Sequence, residues 1–275
     1  MSDLNDLAAA IRDGSSLALA PDYSGCSLGV VHALIERGAV GLHLIGVAQL
    51  GFQADLLIGA GCVARVESAA VTLGEFGPAP CFTRAIKSGT IRIADSTCPV
   101  IHAGLQAAEK GIPFMPLRGI LGSDLVENRP DWQIIDNPYG ADGDNDPILL
   151  VPAIRPDVTL FHARKADRHG NVWIGVRREL MLMAHSAETT LVTVEEITDE
   201  DLLEVERDAA GTIPALYIDR VVAAPGGAKP LGMSGIYPKD VDHLQAYAEL
   251  AKTRDGFESY LRESHLRREV TSGRS

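Results

Sequence analysis

Short apolar runs that recur along the chain, separated by stretches of helical pattern, are the feature that most limits the fold. Most of these runs are continuous rather than alternating, which is typical of strands covered on both faces. They lie at residues 17–20, 42–48, 56–58, 63–66, 148–151, 158–163 and 190–194. The pattern predicts an α/β fold.

Helix boundary signals stand between these runs. Ser27 precedes an amphipathic stretch that ends at Gly38, which predicts a crossover helix between the first two strands. Further helices are predicted at 79–87 and 99–110, each ended by a glycine and followed by a short strand, at 91–93 and 112–115. The opening of the chain therefore has the βαβ order.

The second half of the chain is less regular. Residues 126–147 are rich in Pro, Gly, Asn and Asp, which indicates a long excursion rather than another βα unit. The apolar runs on both sides of it are alike, so we predict one domain over residues 1–265. A strand is expected at 215–224, a last helix at about 240–261, and a frayed tail at 266–275.

Charge and cysteine content exclude several classes of protein. The 37 Asp and Glu against 25 Lys and Arg give a net charge of −12, which opposes binding to nucleic acid. Much of the excess negative charge lies in residues 195–208. We interpret this segment as the solvated start of a helix capped by Thr198. Without a basic leader or a long apolar run, the protein is expected in the cytoplasm and away from membranes.

The cysteines have neither disulfide nor zinc spacing; they are Cys26, Cys62, Cys81 and Cys98.

Two glycine-containing loops are candidates for ligand binding. The first follows the first strand, where amides at a helix N-terminus can hold a phosphate or an oxyanion, and its residues are Asp22, Ser24, Gly25, Cys26 and Ser27. It lacks the dinucleotide motif G-x-G-x-x-G, so a general ligand loop is favoured over a dinucleotide site. The second contains Gly74, Phe76 and Gly77 and is either a similar ligand loop or a plain turn.

Some carboxylates also invite a chemical role. Glu67 ends a strand-like run, where it is either a buried acid or base or a structural group. Glu195 and Glu196 end another run, where a buried acid or base is the alternative and a paired surface role is favoured. For Asp22 a helix-cap or turn role is favoured over a chemical one. Neither G-x-S-x-G nor H-E-x-x-H occurs, so these hydrolase and metalloprotease signatures are missing.

Four longer strings resemble one known family. In chain order they are GIPFMPLRGILGSDL, FHARKADRHGNVWI, LVTVEEI and LYIDRVVAAPGGAKPLGMSGIY, which begin at residues 111, 161, 191 and 216. They are similar to the alpha subunit of class I coenzyme A transferases, especially that of the glutaconate CoA-transferase type. The resemblance implies an open, mostly parallel sheet flanked by helices, of the NagB/RpiA/CoA-transferase-like superfamily. It also implies a separate beta subunit, commonly in an α2β2 assembly.

The resemblance further implies a reaction path. In that family a glutamate attacks the acyl-CoA thioester, and a glutamyl-CoA thioester forms before a second acid collects the CoA. In two-chain members this glutamate lies on the beta subunit, at the end of the strand after the first crossover helix. The matching strand here ends in GVAQLG without a glutamate. CoA thioesters are then substrates, and no other cofactor and no metal are expected.

For this chain the resemblance implies a role in shaping the acid pocket. The expected substrate-binding residues are those of the 22–27 and 74–77 loops, with Ser96 and Thr97 at the start of the third helix. Glu67 and Glu75 are the candidates for a catalytic carboxylate within the chain. Where relatives have a glycine-rich turn this chain has Pro21, Asp22 and Tyr23, so the substrate is not carried over.

Two alternatives to a transferase component stay open. Similar chains form hydrolases that open the ring of a cyclic acyl-CoA, with a carboxylate acting as a base. A relative without a partner would be a non-catalytic acyl-CoA-binding protein.

Overall fold

The computed structural model describes residues 3–141 and 145–272, with side chains through residue 264. Residues 142–144 of the predicted excursion and 273–275 of the predicted tail lie outside the described residues. The strands are β1 (Ser16–Leu19), β2 (Leu42–Gly46), β3 (Gln49–Leu50), β4 (Val63–Ser68), β5 (Ala70–Val71), β6 (Arg92–Asp95), β7 (Phe114–Leu117), β8 (Gln133–Asp136), β9 (Pro147–Pro152), β10 (Val158–Asp167), β11 (Val172–Trp173), β12 (Thr189–Thr198), β13 (Thr212–Ile213) and β14 (Arg220–Ala223). The helices are α1 (Leu4–Ala10), α2 (Leu28–Glu36), α3 (Phe52–Gly59), α4 (Pro80–Ser88), α5 (Cys98–Glu109), α6 (Arg178–Ser186), α7 (Glu206–Ala209), α8 (Val241–Leu250) and α9 (Arg254–Ser272).

A nine-stranded sheet forms the centre of the molecule. Seven strands are parallel neighbours in the order β6, β4, β2, β1, β10, β12, β14. The short β11 pairs antiparallel with the carboxyl end of β10, and β13 pairs antiparallel with β11. This architecture confirms the predicted α/β fold with a mostly parallel sheet flanked by helices.

The chain changes direction across the sheet at β1. Strands β2, β4 and β6 are added on one side of β1, whereas β10, β12 and β14 are added on the other. Leu17 of β1 consequently pairs with Leu44 on one side and with Val158 on the other. In open parallel sheets, the crevice at the carboxyl ends of the strands beside such a switch point is where ligands bind.

Both faces of the sheet are covered, as the continuous apolar runs predicted. Leu17 and Leu19 point to a core built with α2, α3, α4, α8 and α9. Ala18 and Ala20 point to the opposite core, built with α5 and α6. Because successive side chains of a strand alternate between faces, a strand covered on both sides favours apolar residues at every position.

The last helices complete the first of these cores. Tyr247 is fully buried, packs on Phe52 with ring centroids 4.8 Å apart, and donates its hydroxyl to Asp55 at 2.7 Å. Asp55 also accepts the amide of Phe82 at 2.8 Å, at the start of α4. The single helix predicted at 240–261 is in fact two, and the second runs through the region predicted to be frayed, as far as Ser272.

Three further local predictions were wrong. Residues 56–58 belong to α3, whose residues 52–58 are all buried, so its apolar run resembled a strand. Thr198 does not cap a helix, because β12 continues to it in register with β10 and its hydroxyl accepts the amide of Glu200. Of the predicted strand 215–224, only 220–223 is extended; a one-turn 3-10 helix occupies Ala215–Tyr217.

The excursion contains ordered structure as well. Strand β8 pairs with β9, and together with β7 they form a small antiparallel sheet over the α5 side of the main sheet. Within the described ranges, no helix is both long and apolar enough to cross a bilayer.

Candidate functional site

A cleft of about 380 Å³ opens beyond the carboxyl ends of β1, β2 and β4. Three segments that are distant in sequence meet there: the loop after β1, the 3-10 turn Gly74–Phe76, and the segment 231–239. The lining residues are Asp22, Tyr23, Gln49, Phe52, Thr72, Leu73, Gly74, Glu75, Phe76, Leu231, Gly232, Ser234, Tyr237, Lys239 and Leu244. The structure therefore brings both predicted ligand loops to one cleft.

Asp22 is the acidic group at the inner end of the cleft. Its carboxylate accepts the amide of Phe52, at 3.0 and 2.9 Å to its two oxygens, and so caps the first turn of α3. Burial raises the pKa of Asp22 to about 6, although the Phe52 amide opposes the rise. The charge of Asp55 adds to the rise. Asp22 thus stays protonated to a higher pH than an ordinary aspartate.

The mouth of the cleft carries an exposed ion pair. The ammonium of Lys239 contacts the carboxylate of Glu75 and lies 5.6 Å from the centre of the Phe76 ring. The hydrogen bond from Lys239 lowers the pKa of Glu75. Gly77, at the far end of this loop, has φ of +95° and closes the turn by donating its amide to the carbonyl of Gly74 at 3.0 Å.

The other predicted residues of the first loop are turned into the protein. The carbonyl of Gly25 accepts the amide of His162 at 2.9 Å, and a Cβ on Gly25 would lie 2.0 Å from the carbonyl oxygen of His162. Only glycine fits this crossing over β10. Ser24 donates to Glu179 of α6. Cys26 is buried, which raises the pKa of its thiol, and it contacts the Gln53 amide at 2.9 Å.

A buried hydrogen-bond network lies behind the cleft and is centred on Glu195. One carboxylate oxygen accepts from His162 Nε2 at 2.7 Å and from the hydroxyl of Tyr237. The other oxygen accepts the amide of Gly226 at 2.7 Å. Burial alone would raise the pKa of Glu195, but these donors outweigh burial and lower it. Glu195 is therefore an ionised group whose side chain is only 9% exposed, and not the paired surface residue that the sequence favoured.

The network has one consistent arrangement of protons. Burial lowers the pKa of His162, although Glu195 opposes the shift, so the imidazole is neutral. A carboxylate can only accept, which assigns the ring proton to Nε2 and leaves Nδ1 to accept from Thr193 Oγ1 at 2.8 Å. Thr193 then accepts from Ser27 Oγ at 2.7 Å. The predicted binding residue Ser27 thus belongs to this internal chain of hydrogen bonds.

Ser96 and Thr97 lie just before α5, outside the set of residues that line the cleft. Their hydroxyl oxygens are buried and have no hydrogen-bond partner among the described residues. The neighbouring Cys98 is an exposed free thiol. Cys26, Cys62 and Cys81 are buried free thiols.

Glu67 faces a different cavity, of about 220 Å³, between the main sheet and the small sheet. Arg129 Nη2 lies 2.8 Å from Glu67 and 2.7 Å from Asp131. Burial would raise the pKa of Glu67, but His43 and Arg129 outweigh burial and lower it. Its carboxylate is thus engaged by a buried arginine, and Glu67 does not face the cleft that Glu75 borders.

One wall of the cleft, formed by residues 231–239, was not predicted from the sequence. Leu231, Tyr237 and Lys239 come from the glycine-rich turn that follows β14, more than 150 residues from the other walls. The string PGGAKPLGMSGIYP marks this turn, but nothing local shows that it folds back over α3. Across the part of the chain with described side chains, no cluster of His, Cys, Asp and Glu is arranged to hold a metal ion.

Comparison with known proteins identifies the class. The Coenzyme A transferase family model matches residues 2–224. The alpha-type chain of 3-oxoadipate CoA-transferase from Pseudomonas knackmussii is 31% identical over 92% of this chain and 88% of its own length. The IpdA component of the cholesterol ring-cleaving hydrolase of Mycobacterium tuberculosis is 31% identical over 94% of this chain and 90% of its own length. An uncharacterised protein of Archaeoglobus fulgidus is 31% identical over 91% of this chain, which spans only 55% of that protein.

Solved structures agree with the sequence relatives. Glutaconate CoA-transferase of Acidaminococcus fermentans matches with a TM-score of 0.85 and 29% identity, over 95% of this chain and 87% of that one. The decarboxylase AibA/AibB matches with a TM-score of 0.81 and 32% identity, over 94% and 97%. The chain belongs to the coenzyme A transferase family, as the family model and the relatives show. Within that family it is the alpha type, because its matched relatives include the corresponding chains of two-chain CoA-transferases.

Proposed function

We propose that this chain forms half of a CoA-transfer site and that a beta subunit completes it, in an assembly of two alpha and two beta chains. The supporting observation is that the carboxylates among the cleft's described lining residues, Asp22 and Glu75, are both engaged. Asp22 holds the amide of Phe52, and Glu75 is paired with Lys239. Gln49, just beyond β2, carries an amide, which is not a nucleophile.

In this proposal the partner's glutamate performs the covalent steps. Its carboxylate attacks the thioester carbonyl, expels the CoA thiolate and leaves a mixed anhydride. The thiolate then attacks the glutamyl carbonyl, which releases the first acid and forms the glutamyl-CoA thioester. The second acid repeats these steps in reverse and departs as the new acyl-CoA. Electrons and atoms balance without any cofactor beyond the CoA thioester, which is a substrate.

The contribution of this chain is to bind and orient the acids. Residues 22–23 of the first loop, residues 74–76 of the second and the segment 231–239 line the cleft. The volume of about 380 Å³ lies within the usual range of about 300–1,000 Å³ for small-molecule sites. Ser96 and Thr97 have buried hydroxyls without a hydrogen-bond partner among the described residues, and the first amides of α5 that follow them suit a developing oxyanion.

Co-expression with the gene product encoded beside this chain tests the proposal. Transfer of CoA between two carboxylic acids should require both chains, with each chain inactive alone. Full transferase activity of the isolated chain, or a glutamyl-CoA adduct trapped on one of its own glutamates, would contradict the proposal.

A hydrolase is the second candidate, since the ring-cleaving hydrolase component matches this chain with the same identity as the 3-oxoadipate CoA-transferase chain. In that case a carboxylate acts as a base on a cyclic acyl-CoA. The two candidates differ in their need for an acceptor. Consumption of the acyl-CoA substrate that depends on an added carboxylic acid supports the transferase, whereas turnover in water alone supports the hydrolase.

A further inference from the structure

Two polar side chains of the cleft lining, Asp22 and Tyr237, are satisfied by the chain itself. Asp22 directs its carboxylate to the amide of Phe52. The hydroxyl of Tyr237 donates to Glu195, behind the wall, and accepts the amide of Ala228 at 3.2 Å. The buried Glu195 network therefore turns the only polar atom of the Tyr237 side chain away from the cleft. The ring is what remains to contact a ligand.

Five apolar side chains line the cleft, together with the uncharged polar side chains of Tyr23, Gln49, Thr72 and Ser234. The apolar side chains come from the first turn of α3, the turn after β5, the segment before α8 and α8 itself, and they are Phe52, Leu73, Phe76, Leu231 and Leu244. All of these except Phe76 are buried. Such a surface gains free energy by covering hydrocarbon, about 0.8 kcal/mol for each CH₂ removed from water.

Charge at the cleft opposes a second carboxylate on the ligand. Above the pKa of Asp22, the lining carries the two negative charges of Asp22 and Glu75 against the one positive charge of Lys239. The ammonium of Lys239 is already paired with Glu75. A terminal carboxylate entering the cleft would meet a net negative lining and a cation that is occupied.

We propose that the cleft takes the hydrocarbon chain of a monocarboxylic acyl group and discriminates against dicarboxylic ones. The inference rests on the proposed function, in which this cleft binds the acid. It separates the chain from two of its relatives, which are named for glutaconate and 3-oxoadipate, both dicarboxylic acids. In this view the Glu75–Lys239 pair at the mouth is the group that sets the specificity.

Calorimetric titration of the chain, purified with its partner, tests this inference without turnover. The probes are butyrate, hexanoate, octanoate and adipate. We expect the Kd to fall by up to about fourfold for each added methylene between butyrate and hexanoate. Adipate, which has the same number of carbons as hexanoate, should bind about tenfold more weakly. Equal affinity for adipate and hexanoate, or no dependence on chain length, would overturn the inference.

A variant at the mouth should reverse part of the discrimination. Glu75→Gln releases Lys239 and removes one negative charge, so adipate should gain about tenfold in affinity while hexanoate changes little. The gain should vanish in Glu75→Gln/Lys239→Met. Glu249→Gln, which breaks a comparable exposed pair with Lys252, is the matched control and should leave both affinities unchanged. Failure of adipate to gain overturns the inference, whereas the expected binding without CoA transfer counts only against the proposed function.

Discussion

Glu67 and Glu195 are both glutamates of the main sheet whose side chains are less than a tenth exposed, 6% and 9%. In both, burial would raise the pKa and local partners lower it. The partners differ in kind. Glu67 is compensated by His43 and by a permanent cation, Arg129, whereas Glu195 is compensated by the phenol of Tyr237, an amide and a neutral imidazole.

The difference shows how the compensating group decides what a buried charge does. Arg129 joins Glu67 to Asp131 and to the carbonyl of Asp95, and so ties β4 and β6 to the segment that leads into the small sheet. The donors to Glu195 include Tyr237, which lines the cleft. The first network holds two layers together, and the second orients a wall of the binding cleft.

The largest effect is expected where a buried charge loses its cation. Arg129→Met leaves Glu67 and Asp131 without their counter-charge and should lower the free energy of unfolding by about 3–5 kcal/mol. Urea denaturation measures the loss. In Glu67→Gln/Arg129→Met most of the lost free energy of unfolding should be recovered, because the variant no longer contains an unpaired buried charge at position 67. If the double variant is as unstable as the single one, Glu67 is not the charge that Arg129 compensates.

A smaller loss of stability is expected for Glu195→Gln, which keeps the shape of the side chain but replaces one acceptor oxygen by an amide group. In Glu195→Gln the side-chain amide must face at least one of three donors, which should cost about 1–3 kcal/mol. Amide hydrogen exchange of residues 225–239 should rise, while the exposed Glu196→Gln matches the parent protein. Unchanged exchange in Glu195→Gln would show that Glu195 does not hold this wall.

Asp22 extends the comparison to a buried carboxylate that has an amide rather than a cation as its partner. Its pKa is raised to about 6, so between about pH 4 and 6 the unfolded chain releases this proton while the folded chain keeps it. Stability contributed by the protonated form is therefore lost as the pH rises through 6. Urea denaturation at pH 4.5, 5.5, 6.5 and 7.5 measures the free energy of unfolding. Relative to the parent protein, Asp22→Asn should become more stable as the pH rises across this window. If the free energies of unfolding of the variant and the parent protein change in parallel with pH, the pKa of Asp22 is not raised.

The smallest effect is expected at an exposed arginine. Arg118 makes two hydrogen bonds to Asp146, much as Arg129 does to Asp131, but its side chain is 60% exposed. Arg118→Met should leave the urea midpoint nearly unchanged, because water and salt screen an exposed ion pair. A loss as large as that of Arg129→Met would show that burial does not explain the difference between the two arginines.

The sheet could be predicted from the sequence because continuous apolar runs are what two-sided burial requires. The same signal failed at α3, where a helix buried on every side has no polar face to reveal its period. For the cleft, the 22–27 and 74–77 loops could be found because they lie between a strand and a helix and contain glycine. The wall at 231–239 and the burial of Glu195 depend on contacts between distant segments, which leave no local pattern.

Within the first loop, residue type alone did not separate the groups that face the cleft from those that face the core. Asp22 lines the cleft, whereas Ser24 and Ser27 bond to α6 and to β12. The crossing of Gly25 over His162 decides this division, because it turns the backbone inward after Tyr23.

The contact between Tyr247 and Asp55 joins residues 192 positions apart. Tyr247, Phe257 and Tyr260 fill the same core as Phe52 and Cys81. On the ribosome, a nascent chain that has already formed α2 to α4 still exposes the apolar surface that these aromatic rings will cover. The core of the first half can therefore be completed only after the last helices have been synthesised, and until then its exposed apolar surface is prone to aggregation.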